Sequence, residues 1–177
     1  ITIIGTGTIG KEIARKAKAF DMRTIGVNTN GRNVDYFDEI YSNSELNYAL
    51  SKGDYIVQTV PLTKSTYKML GKEQFESMKA TAFFINIARG KTVDEKVLIE
   101  ALNNNIIKAA AIDVFEIEPL PKESSLWAME NVFITPHISG LSNMYINRAI
   151  PILEHNLKAY LQKCGKYINM IDFNKKY

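Results

Sequence analysis

The chain has 177 residues, 46% hydrophobic and 23% charged, which suits one globular domain with a real core. Its net charge of +3 comes from scattered basic residues, without the basic or aromatic clustering of a nucleic-acid surface. The single cysteine, Cys164, excludes an internal disulfide and a cysteine zinc site, and no apolar run reaches the roughly 18 residues of a membrane span.

One cysteine makes a reducing, cytoplasmic compartment the expectation, with no membrane and no signal peptide. The first residue is not methionine and the chain starts inside an apolar run, which reads as a piece of a longer polypeptide.

Strand-like and helix-like segments alternate. ITIIG (1–5) is a short apolar strand, and the segment after it has helical spacing, with Ile9, Ile13, Ala17 and Phe20 as the expected buried stripe. Lys11, Arg15 and Lys18 read as its solvated side. A strand is expected at 24–28, then a loop holding Asp35 and Asp38, then a short helix from Ser44 through Ser51 with Ser44 as its cap. Strands follow at 55–60, 82–88, 107–115 and 132–135, with helices at 72–78 and 94–105 between them. Near-continuous apolar strands separated by helices imply a parallel sheet buried on both faces, hence an α/β doubly wound, Rossmann-type fold over residues 1–140. Residues 141–177 carry a helical pattern to about Lys163 and a tail, and Pro151 is expected to kink or break that helix.

Gly5, Gly7 and Gly10 form G-x-G-x-x-G between the first strand and the first helix, the context in which the pattern signals a dinucleotide site. Gly5 permits the tight turn, Gly7 a close backbone approach to a pyrophosphate, and Gly10 close helix–strand packing. The amides of Thr8 and Ile9 open the helix and face the anion. About twenty residues on, such sites place an acid on the adenosine ribose. Here that position is Asn28, followed by Thr29 and Arg32. Asparagine does not repel a 2′-phosphate and arginine pairs with one, so the reading favours NADP over NAD. Asp35 and Asp38 lie too far along to replace the missing acid.

Arg89 follows the strand at 82–88, at the sheet edge where open α/β folds bind ligands, and its guanidinium suits a carboxylate. Asp113, in an apolar strand, needs a partner, which a carboxamide would supply. His137 follows the last strand in TPHISG, and histidine titrates where proton transfer at neutral pH needs it. Glu116 reads as solvated and His155 as a surface residue.

GTGTIG, PLT (61–63), NIARG (86–90), AIDVFEIEPLP and SSLWAMENVFITPHISG, in this order, resemble the D-isomer-specific 2-hydroxyacid dehydrogenases. The resemblance runs from Ile1 to about Gly140 and loosely into YINMIDF. It implies that His137 protonates a substrate carbonyl while hydride arrives from a nicotinamide, that Glu118 holds His137, and that Arg89 binds the carboxylate of a small 2-oxo acid. It also implies that Asp113 holds the carboxamide, that Val60, Pro61, Ala88 and Gly140 line the cofactor, that no metal is used, and that the protein is a homodimer. The family's N-terminal substrate domain, on which the segment 141–177 would pack, is missing here. Asn28 departs from the usual acid, and Asp21 stands where glycine is usual, which aspartate's tolerance of left-handed backbone accommodates. An NAD(H)-sensing, non-enzymatic interaction protein of the same superfamily is the alternative. A short-chain dehydrogenase is disfavoured because Tyr48 and Lys52 lie too early, and a formate dehydrogenase because glutamine would stand at Glu118.

Overall fold

In a computed structural model, which describes residues 1–173, seven short strands form one fully parallel sheet in the order β3-β2-β1-β4-β5-β6-β7. The strands are β1 (Thr2–Ile4), β2 (Ile25–Asn28), β3 (Glu39–Ser42), β4 (Tyr55–Gln58), β5 (Phe83–Asn86), β6 (Ala109–Ile112) and β7 (Val132–Ile134). The strand order reverses between β1 and β4, which pair with Ile4 opposite Gln58. Ligands of doubly wound sheets bind at the carboxyl ends of strands beside such a reversal.

Alternation along each strand sends neighbouring side chains to opposite faces. Ile4, Ile56, Phe84, Ala110 and Ile112 belong to one core cluster, with Leu46, Ala49 and Leu50 of α2 (Leu46–Lys52), Phe75 of α3 (Lys72–Glu76) and Leu98, Ala101 and Leu102 of α4 (Glu95–Asn103). Ile3 and Val57 belong to a second cluster with Ala14 of α1 (Thr8–Lys18). Helices therefore cover both faces, as the apolar runs predict. Phe75 and Phe84 are fully buried, edge to face with ring centroids 5.5 Å apart. Burial of a phenylalanine contributes about 1.5–3 kcal/mol.

Several expectations change. Glu39–Ser42 is an edge strand, not loop, and pairs with β2 in register from Ile25 opposite Glu39 to Asn28 opposite Ser42. Its mixed sequence, EIYS, is half-buried, so it carries no apolar run. The turn into α2 is organised by Ser42 rather than Ser44: the Glu45 carboxylate accepts from the Ser42 amide at 3.0 Å and from its hydroxyl at 2.7 Å. The buried stripe of α1 is Gly10, Ala14 and Ala17, whereas Ile9 is 58% and Phe20 80% exposed. Lys11, Arg15 and Lys18 do lie on its solvated side, paired with Asp35, Glu12 and Asp38. Asp21 takes the left-handed backbone expected of it, at φ 54°.

A separate compact unit starts at Ile138 and contains α5, Tyr145–Leu161. The helix runs through Pro151 without the expected break. Proline removes the bond that residue 151 would make to the Asn147 carbonyl, and this loss falls in the first half of a 17-residue helix. His155 is exposed, with its Nε2 2.8 Å from the Lys166 carbonyl oxygen. The end of the expected tail, 174–177, lies outside the described residues. Among the described residues no helix is long and apolar enough to cross a membrane.

Candidate active site

The glycine turn sits at the strand-order reversal. Gly5 has φ +99°, and a Cβ there would come within 2.8 Å of the Thr59 hydroxyl. That hydroxyl donates to the carbonyls of Gly5, at 2.9 Å, and Ile4, at 3.1 Å, which ties the end of β1 to the loop after β4. A Cβ on Gly10 would lie 1.9 Å from the Gly5 carbonyl oxygen, so only glycine lets α1 start this close to β1. A Cβ on Gly7 would meet nothing within 4 Å. Gly7, Thr8 and Ile9 are all exposed, and the helix start they form has no side-chain cap and no acid in its first turn. Its positive end is thus left for an external anion. Val60, on the loop after β4, borders the same turn, a Cβ on Gly5 lying 3.1 Å from one of its methyls, and the exposed Pro61 follows it.

Asn28 ends β2, and its side chain closes the following loop on itself. Its Nδ2 donates to the Thr6 hydroxyl at 3.1 Å and to the Arg32 carbonyl at 2.9 Å. Its Oδ1 accepts from the amides of Asn30, at 3.3 Å, and Arg32, at 3.1 Å. Asn28 therefore shapes the loop, while Thr29 and the Arg32 side chain are exposed on it.

At the opposite half of the sheet, β5, β6 and β7 deliver three further loops to the same carboxyl edge. Asn86 Oδ1 accepts from the buried Ala88 amide at 3.0 Å, which sets the turn into Arg89. Arg89 is exposed, and its Nη1 donates to the Ala88 carbonyl at 2.6 Å. Gly90 holds the next loop close: a Cβ there would lie 1.8 Å from the Phe115 carbonyl oxygen. Glu118 Oε1 accepts from the Phe115 amide at 3.0 Å, and its Oε2 lies 2.7 Å from His137 Nδ1. Burial pushes the Glu118 carboxyl up, but the hydrogen bonds from His137 and Phe115, with the charges of His137 and Arg89, outweigh it and hold the group below 4.5. An ionised Glu118 only accepts, so Nδ1 carries the proton and Nε2 is the ring atom left to exchange one.

Asp113 is 3% exposed, and the Thr135 hydroxyl donates to its Oδ1 at 2.5 Å. Sequence reasoning missed Thr135, although a carboxylate in an apolar strand demands a nearby donor. It also misread Glu116, which is not simply solvated. The Glu116 amide donates to Glu95 Oε2 at 3.0 Å, and its carboxylate lies 3.6 Å from Lys68 Nζ, which also meets Asp94 at 3.2 Å. Lys68 thereby joins the loop after β6 to the start of α4. Gly140 belongs to the separate unit that starts at Ile138, and a Cβ there would meet nothing within 4 Å. Among the described residues no group of three or more His, Cys, Asp or Glu is placed to hold a metal.

The description "D-isomer specific 2-hydroxyacid dehydrogenase, NAD binding domain" matches residues 1–139. The chain belongs to this family. It is 39% identical over 159 residues to a glyoxylate reductase of Korarchaeum cryptofilum, covering 89% of this chain and 48% of that protein. It is 42% identical over 144 residues to glyoxylate/hydroxypyruvate reductase B of an Enterobacter species, covering 80% and 44%. The chain thus spans about half the length of the relatives it matches. Among solved structures, a D-isomer specific 2-hydroxyacid dehydrogenase from Xanthobacter autotrophicus in complex with NADPH and MES superposes with a TM-score of 0.93 at 30% identity, over all of this chain and 72% of that one. An NADPH-dependent glyoxylate/hydroxypyruvate reductase from Sinorhizobium meliloti in complex with NADP and sulfate gives 0.90 at 29%, over 99% and 56%.

The residues present fit the dinucleotide that this family's domain binds. The uncapped start of α1, the open space beside Gly7 and the exposed Thr8 and Ile9 suit a pyrophosphate, and the loop after β4 borders them.

Proposed function

We propose that this chain is the cofactor-binding part of an NAD(P)-dependent D-2-hydroxyacid dehydrogenase that reduces a small 2-oxo acid. The Glu118–His137 pair carries the proposal: a fixed carboxylate holds Nδ1 and leaves Nε2 to exchange a proton, and an exposed arginine whose charge acts on Glu118 stands at the same ligand-binding edge of the sheet.

When bound, a reduced nicotinamide would supply the hydride that the carbonyl carbon takes up. His137 gives its Nε2 proton to the carbonyl oxygen as charge develops there, and Glu118 stabilises the ring while it is charged. Arg89 holds the substrate carboxylate through its guanidinium N–H groups, which orients the carbonyl. Asp113, already held by Thr135, accepts from the cofactor's carboxamide. Gly5, Gly7, Thr8, Ile9 and Gly10 would hold the pyrophosphate, with Val60, Pro61 and Ala88 lining the rest of the cofactor.

NADPH is the preferred cofactor. Asn28 brings no charge to the ribose loop, and Arg32 is exposed beside it to pair with a 2′-phosphate. The NADPH and NADP held by two of the similar structures support this reading. The complete protein is a cytoplasmic homodimer, and the segment 141–177 packs on its substrate domain. The test is NADPH consumption by the complete protein offered glyoxylate and hydroxypyruvate. Turnover with either supports the reading. A protein that binds the cofactor yet reduces neither, nor any larger 2-oxo acid, is the sensing alternative instead.

A further inference from the structure

The loop that follows Asn28 reads TNGRN, and its Asn30–Gly31 step has a chemistry of its own. An asparagine before glycine cyclises readily, because no Cβ on the next residue crowds its backbone nitrogen. Three features of this loop leave the step open. Asn30 is exposed, and its side chain makes no hydrogen bond among the described residues. The Gly31 amide likewise has no acceptor among them. Gly31 stands at φ +70°, which only glycine adopts freely, so the sequence is held there by backbone geometry. The rest of the loop is fastened, because Asn28 binds the amides of Asn30 and Arg32 and the carbonyl of Arg32. The reactive side chain is therefore the loose group on a fixed frame, two residues before Arg32.

We propose that Asn30 is a modification site, whose deamidation through Gly31 places a carboxylate in the ribose loop and lowers affinity for NADPH relative to NADH. The Gly31 backbone nitrogen attacks Asn30 Cγ, the bond from Cγ to the side-chain nitrogen breaks, and ammonia leaves with the proton from Gly31. Water then opens the cyclic imide at one of its two carbonyls, giving aspartate or isoaspartate. No oxidant or reductant is involved. Either product puts a negative charge in the ribose loop, two residues past Asn28, which holds the position where a dinucleotide fold that prefers NAD keeps its acid, and that charge competes with a 2′-phosphate for Arg32. The isoaspartate also lengthens the backbone inside the frame that Asn28 makes, and strains its bond to the Arg32 amide. This consequence rests on the reading of Asn28 and Arg32 given above, but the chemistry at Asn30 does not.

The purified protein is held at mildly alkaline pH and sampled over time. Trypsin releases residues 24–32, bounded by Arg23 and Arg32, and mass spectrometry follows the conversion of amide to acid at Asn30. Asn104, also exposed but followed by Asn105, is the internal reference. NADPH and NADH are titrated into fresh protein, aged protein, Asn30→Asp and Asn30→Gln. Conversion at Asn30 well ahead of Asn104, with the NADPH-to-NADH affinity ratio falling about fivefold or more in aged protein and in Asn30→Asp, supports the proposal. Asn30→Gln, which cyclises far more slowly, should keep the fresh ratio throughout. Conversion no faster than at Asn104, an unchanged ratio in Asn30→Asp, or an equal loss in aged Asn30→Gln overturns it. Fresh protein that binds NADH more tightly would refute the NADPH preference alone, since the ratio in Asn30→Asp against fresh protein still decides the effect of the new charge.

Discussion

The backbone amide of His137 donates to the carbonyl of Asp113 at 2.8 Å. This bond carries the β6–β7 pairing beyond the strand ends and holds His137 in a left-handed conformation, at φ 54°. The two residues that the proposed reaction needs from the ends of β6 and β7, Asp113 and His137, are thus fastened through the main chain, independently of their side chains.

Replacing the imidazole should therefore leave the fold and the cofactor site standing. In the complete protein, His137→Ala is expected to lower turnover of a 2-oxo acid by about 10²–10⁴-fold. Affinity for NADPH should change little, as read by fluorescence titration. Unchanged turnover would remove His137 from the proton-donor role.

Thr135→Val keeps the shape of the side chain and deletes the hydroxyl that donates to Asp113 at 2.5 Å. The buried carboxylate loses one donor, at a cost of about 1–3 kcal/mol in unfolding free energy. Thr135→Ser should restore most of it. Denaturant unfolding of the three proteins checks this, and a valine variant as stable as the parent would show that the hydroxyl is dispensable.

Gly7 and Gly10 are expected to separate binding from folding. A Cβ on Gly10 has no room beside the Gly5 carbonyl, so Gly10→Ala should destabilise by about 1–3 kcal/mol or more. A Cβ on Gly7 meets no protein atom within 4 Å, so Gly7→Ala should melt close to the parent while binding either dinucleotide more weakly. Equal melting of both variants, or full cofactor affinity in Gly7→Ala, would contradict this division.

Asp38 gives a pH prediction. Its hydrogen bond from Lys18 and those from the Thr24 amide and hydroxyl, at 2.8 and 3.0 Å, outweigh burial and hold its pKa at about 2, against an ordinary 3.8. A carboxyl whose folded pKa lies below its unfolded value stabilises the protein above the unfolded value, and that contribution fades as pH falls toward the folded one. The difference in melting temperature between the parent and Asp38→Asn should therefore be largest above about pH 4 and shrink toward pH 2. A difference that is constant across this range would mean that Asp38 does not titrate as its contacts imply.

The helix-strand alternation was legible because both faces of the sheet are buried, which forces apolar strands such as AFFINIA. The glycine turn was legible because a close approach leaves its mark as glycine. The stripe on α1 was not. Periodicity counted Ile9 and Phe20 as core, yet the packed face is Gly10, Ala14 and Ala17, because a helix held this close to β1 admits only small residues. The edge strand β3 escaped because half-burial leaves no apolar run in EIYS. Lys68 and Glu116 escaped because they are 48 positions apart, and their pairing depends on the loops before α3 and after β6 meeting.

By itself, the sequence determined the fold class, the order of most elements and the identity of Arg89, Glu118 and His137 as chemically capable groups, since each leaves a local signal in residue type and position. Tertiary structure alone decided that Glu118 reaches His137 at 2.7 Å, that Thr135 satisfies Asp113, and that Asn28 is engaged in shaping its own loop. The first two span 19 and 22 residues and depend on which strand ends lie side by side, and local pattern carries no record of that distance; the third is local, but residue type alone does not say which amides an asparagine side chain will bind.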